Sequence, residues 1–505
     1  MCGRFFGSTL QPNCSVGMSK KKAIVIGAGI AGLGASVRLA VKGYDVSVYE
    51  KNDFFGGKLT SRNVNGFRFD YGPSIFTMPQ NVTELFELAG KNPADYFEYT
   101  RLDPIFHYFY EDGTRIKGCS DTTKFAESVA ENTLDSKETV LKYLDKVKEI
   151  NELTEDVFIN RSLHKFKNFL NKETVKGVLN FGKIDAFNTM NEVNEKTFDD
   201  PKMVQFFNRY ATYNGSNPYE APGTLNVIQH YEINRGAYLP KGGMQQISRS
   251  VYELAVELGV EFHFGKKVDK IETSKSKVEA IVVEGERREA DLFMSNMDVY
   301  YLYNQLLPQA KRPSKVLDQP KSGSALVFYW GINKSFDELT VHNILFAKNM
   351  ETEYEAIFEK NNVCNDPTIY INITSKKCQG DAPEGGENWF TMINVPNNVG
   401  QDWDEIIARS RKNIIAKINR TLGTDIEPLI VAEDVMDPRG IDERYLSAFG
   451  SIYGNRFSSN FSAFFRHPNF SKEFKNLYFC GGTVHPGSSI PLSLKSAEIA
   501  VGMVE

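Results

Sequence analysis

Short apolar runs alternate with helical periodicities near the start of the chain. Residues 23–26 form a β-branched apolar run, and apolar positions at Ala35, Leu39 and Ala40 follow at helical spacing. A second strand pattern, in which polar and apolar residues alternate, covers residues 45–49. Strand, helix and strand in this order predict a parallel βαβ unit at the beginning of an α/β domain.

Helical patterns dominate residues 81–234 and predict a helical insertion. Within it, residues 161–183 combine apolar positions at near-helical spacing with a marked excess of lysine. A basic amphipathic helix of this kind can lie on an anionic membrane. It can equally pack on the protein's own core with its charged side in solvent. The aromatic residues 206–213 are suited to line a substrate tunnel or to pack in the core.

Strand patterns return after residue 234 and predict a second α+β region. One amphipathic helix is expected at residues 404–422. The predicted strands cover residues 260–264, 267–271, 278–283, 287–291, 325–330, 368–373 and 389–393.

Composition narrows the class of protein. A chain of 505 residues with 41% hydrophobic and 24% charged residues is expected to fold into two or three domains. Its net charge of −5 gives no reason to expect a nucleic-acid partner. The six cysteines form no C-x-x-C pair or zinc spacing, so we expect reduced thiols and no metal. Residues 1–17 precede a natural start at Met18, and we expect them to be a tag or upstream extension.

The first turn carries the motif Gly27-x-Gly29-x-x-Gly32 between the strand and the helix. Glycines at these places allow a tight turn, close approach of a pyrophosphate, and packing of the helix on the strand. Glu50 ends the second strand, where a carboxylate accepts hydrogen bonds from a ribose diol. The motif predicts a dinucleotide site.

Two further segments have the composition of cofactor loops. Gly57 and Lys58 follow the acid, and residues 69–73 read Phe-Asp-Tyr-Gly-Pro before a turn. Near the carboxyl end, a buried strand leads into the small residues 481–489 and then into a helix that begins near Pro491. The amides at the start of that helix would stabilise negative charge on a cofactor.

Together these motifs resemble those of flavoprotein amine oxidases and of bacterial phytoene-desaturase-type carotenoid desaturases, in which the cofactor is FAD. The family usually has arginine where Lys58 stands, so one phosphate contact is altered. Residues 481–487 are most similar to the 1-hydroxycarotenoid 3,4-desaturase branch. The resemblance implies these FAD contacts: Gly27, Ala28, Gly29, Ile30, Ala31, Gly32, Glu50, Lys51, Gly57, Lys58, Leu59, Tyr71, Gly72, Pro73, Ser74, Val268, Asn296, Gly482, Thr483, Ser489, Ile490 and Pro491.

The resemblance also implies a domain organisation. A Rossmann-like FAD-binding domain is expected from residues 18–95, 235–310 and 435–505. A discontinuous α+β substrate domain is expected from residues 96–234 and 311–434, including a helical insertion that associates with the membrane.

The activity implied is FAD-dependent desaturation of a long apolar carotenoid, here 3,4-desaturation of a 1-hydroxycarotenoid. Glu232 and His485 are candidates for accepting a proton or binding a terminal hydroxyl, and each also suits a purely structural role. The alternatives are a phytoene or diapophytoene desaturase, a redox-neutral carotenoid isomerase and a non-catalytic prenyl-lipid chaperone. The expected location is cytoplasmic, peripheral on the inner face of the cell membrane.

Overall fold

A computed structural model describes residues 20–165, 181–456 and 466–505. The first seventeen residues lie outside this part of the chain, as do residues 166–180 of the basic amphipathic stretch. In chain order the strands are β1 (Lys22–Ile26), β2 (Asp45–Tyr49), β3 (Ser61–Val64), β4 (Phe67–Asp70), β5 (Tyr99–Arg101), β6 (Phe106–Phe109), β7 (Arg115–Gly118), β8 (Tyr238–Pro240), β9 (Glu261–His263), β10 (Val268–Ser274), β11 (Lys277–Val283), β12 (Glu286–Glu289), β13 (Leu292–Ser295), β14 (Ser324–Ile332), β15 (His342–Leu345), β16 (Ile369–Ile373), β17 (Glu387–Val395), β18 (Ile430–Met436) and β19 (Leu477–Phe479).

The α-helices enclose these strands and supply the insertion. In chain order they are α1 (Ile30–Val41), α2 (Gln80–Leu88), α3 (Thr122–Asn132), α4 (Lys137–Phe158), α5 (Met190–Glu195), α6 (Pro201–Asn208), α7 (Gln245–Glu257), α8 (Val299–Tyr301), α9 (Ser314–Leu317), α10 (Met350–Phe358), α11 (Trp403–Leu422), α12 (Pro438–Tyr445) and α13 (Ile490–Gly502).

A five-stranded parallel sheet forms the nucleotide-binding half, in the order β19-β13-β1-β2-β9. Its central strand β1 is buried from Ala23 to Ile26, which explains the continuous apolar run in the sequence. The helix α1 packs against both α7 and α13. Segments from the beginning, the middle and the carboxyl end of the chain therefore share one sheet.

A three-stranded antiparallel sheet, β10-β11-β12, packs beside the parallel sheet. Ile271 and Ile281 are fully buried and share a hydrophobic cluster with Phe293 of β13. The hairpin predicted about Glu284 and Gly285 is present, and both residues have positive φ, as such a tight turn requires.

The other half of the protein is built on a seven-stranded sheet in the order β18-β14-β17-β16-β15-β6-β7. All its pairings are antiparallel except that of β15 with β6. One face is covered by α11, whose Ile414 and Ile418 pack on Trp330 and Trp389. The opposite face carries Tyr329, Tyr370 and Phe390 and meets the helical segment.

The prediction of a helical insertion at residues 81–234 was wrong in one part. The strands β5, β6 and β7 lie there, and β6 joins the seven-stranded sheet through β15, far along the chain. Strands of three or four residues show too little alternation to be recognised without their partner. The predicted division into two discontinuous domains stays a prediction, although the strands of each large sheet come mainly from the segments assigned to it.

Candidate functional site

The turn between β1 and α1 leaves no space for side chains. Gly27 has a φ of +98°, a conformation that glycine adopts without strain. A Cβ on Gly32 would lie 2.1 Å from the carbonyl oxygen of Gly27, and one on Gly29 would lie 2.7 Å from Oδ1 of Asn296. Bare backbone is therefore exposed where α1 begins, and its amides and helix dipole favour a phosphate.

The Glu50 carboxylate lies directly beneath this turn. Its Oε2 accepts a hydrogen bond from the Ala28 amide at 2.8 Å, and its Oε1 accepts one from the Asn52 amide at 2.9 Å. Each carboxylate oxygen has more than one acceptor position, so both can still accept from a ribose diol. The position and chemistry fit the adenosine ribose of a dinucleotide.

A second glycine turn meets the first. The Gly56 amide donates to the Ala28 carbonyl at 2.8 Å, and a Cβ on Gly57 would lie 3.2 Å from Cα of Gly29. The adjoining Lys58 donates from Nζ to Oγ of Ser447 at 2.6 Å. Burial lowers the pKa of Lys58 to about 8, because the charged ammonium group is poorly solvated there. An anionic ligand beside it would stabilise the charged form.

The carboxyl-terminal segment completes the cradle. Ser489 caps α13 by accepting a hydrogen bond from the Leu492 amide at 3.2 Å. The buried Arg466 donates from Nη1 to the Gly482 carbonyl at 2.9 Å. This bond holds the loop between β19 and α13 in place. Asn296 donates to the Cys480 carbonyl at 3.2 Å and so ties this loop to β13.

All the predicted FAD contacts except Ala28 and Gly32 line one cavity of about 470 Å³. Those two residues support the turn without lining the cavity. The Ala28 amide donates to Glu50, and Gly32 packs against the Gly27 carbonyl. Lys51, at the rim, donates to the Glu443 carbonyl at 2.9 Å. The cradle thus has the glycine backbone, the ribose acid and the basic residue that FAD needs, and FAD fits this donor set.

The cavity continues from the cradle into an apolar chamber under the seven-stranded sheet. Tyr71 and Tyr329 stack at its edge with ring centroids 4.0 Å apart. The chamber wall is formed by the apolar side chains of Ala325, Val327, Ile344, Met350, Phe390, Met392, Met436 and Ile441. Such a lining is suited to a hydrocarbon chain.

One end of the chamber is polar. Arg209 lies there, only 4% exposed, with Nη2 3.3 Å from Oε1 of Glu232 and 3.3 Å from the Tyr108 hydroxyl. Glu232 also accepts hydrogen bonds from Tyr210, at 2.6 Å, and from Tyr213. The Glu232 carboxylate thus has three donors and lies behind Arg209 and Tyr213, which themselves line the chamber.

The helix α10 contributes a buried acid to the wall of the cavity. Glu353 is 2% exposed and accepts hydrogen bonds from the amide and the hydroxyl of Thr368, at 3.0 and 2.7 Å. Burial raises the pKa of Glu353. Tyr370, at the polar end, donates to Oγ of Ser74 at 2.8 Å and so connects that end to the predicted cofactor loop.

His485 lies apart from the residues that line the cavity. It is 1% exposed, and its Nε2 donates to the Arg161 carbonyl at 2.7 Å. Burial lowers the pKa of His485 to about 3, so the ring is neutral near pH 7. Its catalytic role stays a prediction.

Sequence reasoning did not single out Arg209, Glu353 or Tyr354 as site residues. Arg209 falls in the aromatic stretch proposed as a tunnel lining, and the structure shows Arg209, Thr212 and Tyr213 of that stretch at the chamber while Phe206 is core. An arginine inside an aromatic run was the available signal. The sequence carried no comparable signal for Glu353.

Across the described residues, no group of three His, Cys, Asp or Glu side chains could hold a metal ion. Over that same part of the chain, every helix is too short or too polar to cross a membrane.

Comparison with known proteins places these features in context. The family model described as flavin containing amine oxidoreductase matches residues 30–504. A 1-hydroxycarotenoid 3,4-desaturase from a Flavobacterium species is 48% identical over 484 residues, which cover 96% of this chain and 99% of that protein. A 4,4'-diapolycopene oxygenase from a Methylomonas species is 32% identical, covering 95% of this chain and 97% of that protein.

Solved structures show the same fold at low identity. An oxidoreductase from Methanosarcina mazei has a TM-score of 0.65 at 15% identity, covering 94% of this chain and 99% of its own. Wild-type putrescine oxidase bound to putrescine has a TM-score of 0.62 at 15% identity, covering 96% of this chain and 98% of its own. Cyclohexylamine oxidase from Brevibacterium oxydans has a TM-score of 0.61 at 16% identity, with the same coverage.

Proposed function

This chain belongs to the family of flavin-containing amine oxidoreductases and is an FAD-dependent oxidoreductase, and from that premise we propose that it desaturates a carotenoid. The bond formed is the 3,4 double bond of a 1-hydroxycarotenoid. The observation that carries the proposal is the single cavity that joins the dinucleotide cradle to an apolar chamber. The choice of substrate is supported by the relative that is 48% identical and carries that name.

Desaturation removes two hydrogens from neighbouring carbons, and bound FAD supplies the two-electron acceptor that this requires. The protein's own part is to bind, orient and exclude water. The apolar wall around Val327, Ile344 and Phe390 holds the hydrocarbon by burial, worth about 25 cal/mol per Å² of apolar surface. Holding one bond of the polyene beside the cofactor then lowers the entropic part of the barrier.

Different residues of the cradle would hold different parts of the cofactor. The glycine turn and the start of α1 would take the pyrophosphate, Glu50 the ribose, and Val268 the adenine through its backbone. Lys58 would supply a positive charge, without the two-pronged geometry of arginine. The start of α13 at Ile490 and Pro491 would lie towards the flavin.

The carbon next to the site of hydride loss must give up a proton. Glu232 and His485 are the two candidates, and Glu232 is better placed because its partners Arg209 and Tyr213 line the chamber. Loss of turnover with retained flavin in Glu232→Gln, together with full turnover in His485→Gln, would assign the role to Glu232.

The test of the function is product analysis. The protein would be expressed in cells that accumulate a 1-hydroxycarotenoid, and the pigment would be analysed by mass and by absorbance. We expect a product two hydrogens lighter that absorbs at longer wavelength. An unchanged mass with altered geometry would indicate an isomerase, an added oxygen would indicate an oxygenase, and tight lipid binding by a colourless protein would indicate a chaperone.

We also propose that the protein works as a peripheral protein on the cytoplasmic, inner face of the cell membrane, where an apolar carotenoid resides. The side chains of Leu134 and Phe187 are 78% and 79% exposed, and the basic residues of 161–183 follow Leu134 in the chain. Co-sedimentation with anionic vesicles should be stronger than with neutral ones. Phe187→Ser should weaken it, whereas Val399→Ser, at another exposed apolar residue, should not.

A further inference from the structure

Two residues of the chamber wall have hydrogen-bonding atoms that the described residues do not satisfy: Arg209 at the polar end, and Tyr354, which lies within electrostatic range of Arg209. Among the described residues, Nε of Arg209 and the hydroxyl of Tyr354 have no hydrogen-bond partner, although both atoms are buried. Both residues line the chamber and are 4% and 3% exposed. A buried polar atom without a partner is costly, so the arrangement is expected to be completed by a ligand.

The Arg209 side chain is held firmly and carries little net charge into the chamber. Its guanidinium carbon lies 4.4 Å from the ring centre of Tyr210 and 5.0 Å from that of Phe106. Glu232 offsets its charge at 3.3 Å. The guanidinium has five donors, and its three hydrogen bonds to other described residues are all 3.3 Å long. It is therefore a rigid donor suited to a neutral oxygen atom.

Tyr354 offers the complementary group. Its ring is fixed between Phe358, with centroids 5.9 Å apart, and Tyr219, at 6.3 Å. Burial raises the pKa of Tyr354 well above its ordinary value, so the phenol stays neutral and its oxygen can accept a hydrogen bond.

Resting on the function proposed above, we propose that Arg209 and Tyr354 bind the terminal hydroxyl of the substrate. Arg209 donates a hydrogen bond to the hydroxyl oxygen, and the Tyr354 oxygen accepts a hydrogen bond from the hydroxyl group. A hydroxyl satisfies both residues because it is donor and acceptor at once, whereas a hydrocarbon end satisfies neither.

This subsite also determines which bond reacts. In a 1-hydroxycarotenoid the 3,4 bond is only a few bonds from the oxygen, so the reacting bond must lie close to the bound hydroxyl. The structure meets that requirement, because Tyr370 at the polar end is hydrogen-bonded to Ser74 of the predicted cofactor loop. The hydroxyl contact thus sets the position of the chain along the cavity.

The test compares binding of a 1-hydroxycarotenoid with that of the hydrocarbon that lacks only the hydroxyl, measured on the flavoprotein in detergent by quenching of tryptophan fluorescence. We expect wild type to prefer the hydroxylated ligand. Tyr354→Phe should reduce that preference about 3- to 10-fold, and Arg209→Lys about 10-fold or more. Tyr231→Phe is the matched control, because its hydroxyl is also buried without a partner among the described residues, but Tyr231 does not line the chamber.

Tyr354→Phe removes only an unpartnered hydroxyl, so it remains informative if Arg209→Lys does not fold. The proposal is overturned if wild type shows no preference or if both variants retain it. Binding is measured without turnover. A preference for the hydroxylated ligand that is lost in the variants would therefore support the hydroxyl subsite even if product analysis refutes the desaturase activity.

Discussion

Gly32 has no room for a side chain, because a Cβ there would lie 2.1 Å from the carbonyl oxygen of Gly27. Relief of that contact would move α1 away from β1 and misplace the amides that face the phosphates. We expect Gly32→Ala to retain flavin at least about ten-fold less well, which corresponds to about 1.4 kcal/mol or more. The ratio of flavin absorbance to protein after gel filtration measures this.

Gly502→Ala provides the control for that prediction. Gly502 is also helical, at the end of α13, and a Cβ there meets no atom within 4 Å. Its flavin content should match wild type. Equal flavin content in Gly32→Ala would show that the turn tolerates a methyl group.

His485 makes the protein sensitive to acid. Burial lowers the pKa of His485 in the folded state to about 3 from 6.5, so below pH 6.5 the unfolded chain takes up a proton that the folded chain does not. Stability is therefore lost as the pH falls from 6.5 towards 3, by up to about 1.4 kcal/mol per pH unit. His485→Gln retains an amide donor for the Arg161 carbonyl and should weaken this dependence.

Thermal unfolding of both proteins at about pH 7 and about pH 5 checks the prediction. The difference between the two unfolding temperatures should be smaller in His485→Gln. An identical pH dependence in both proteins would show that His485 does not contribute.

At the scale of secondary-structure elements, the start of α13 connects helix stability to the cofactor loop. Ser489 caps this helix through the Leu492 amide. Ser489→Ala should cost about 1 kcal/mol of stability and should also weaken flavin binding, because Ser489 and Ile490 line the cavity. Ser136→Ala removes a similar cap from α4, away from the cavity, and should cost stability alone. Unaltered flavin affinity in Ser489→Ala would show that the helix cap does not contribute to flavin binding.

Elements formed by local patterns were predictable, and those formed by distant partners were not. The strand, glycine turn and helix at residues 22–41 are local, and so is the hairpin of β11 and β12. The strands β6 and β7 pair locally as a hairpin that the helical interpretation of this segment missed, and their place in the large sheet depends on β15, which lies more than two hundred residues later. The polar end of the chamber has the same origin, because Arg209 and Tyr354 come from separate elements that only the fold brings together.

At the scale of the whole molecule, the parallel sheet joins distant parts of the chain. The strand β19 pairs with β13, which pairs with β1, and α13 packs on α1. Removal of residues 477–505 would expose the edge of β13 and uncover α1. We expect the truncated chain to be aggregated and free of flavin, as judged by sedimentation and absorbance. A chain that begins at Met18 keeps every described element and should behave as the full chain does.

The sheet order has a consequence for biosynthesis. The glycine turn leaves the ribosome early, whereas β19 and α13, which complete its cofactor cradle, are translated after nearly all of the protein. The nascent polypeptide consequently carries an incomplete cofactor cradle throughout most of its synthesis. The complete cradle for the flavin therefore forms only after β19 and α13 have been translated.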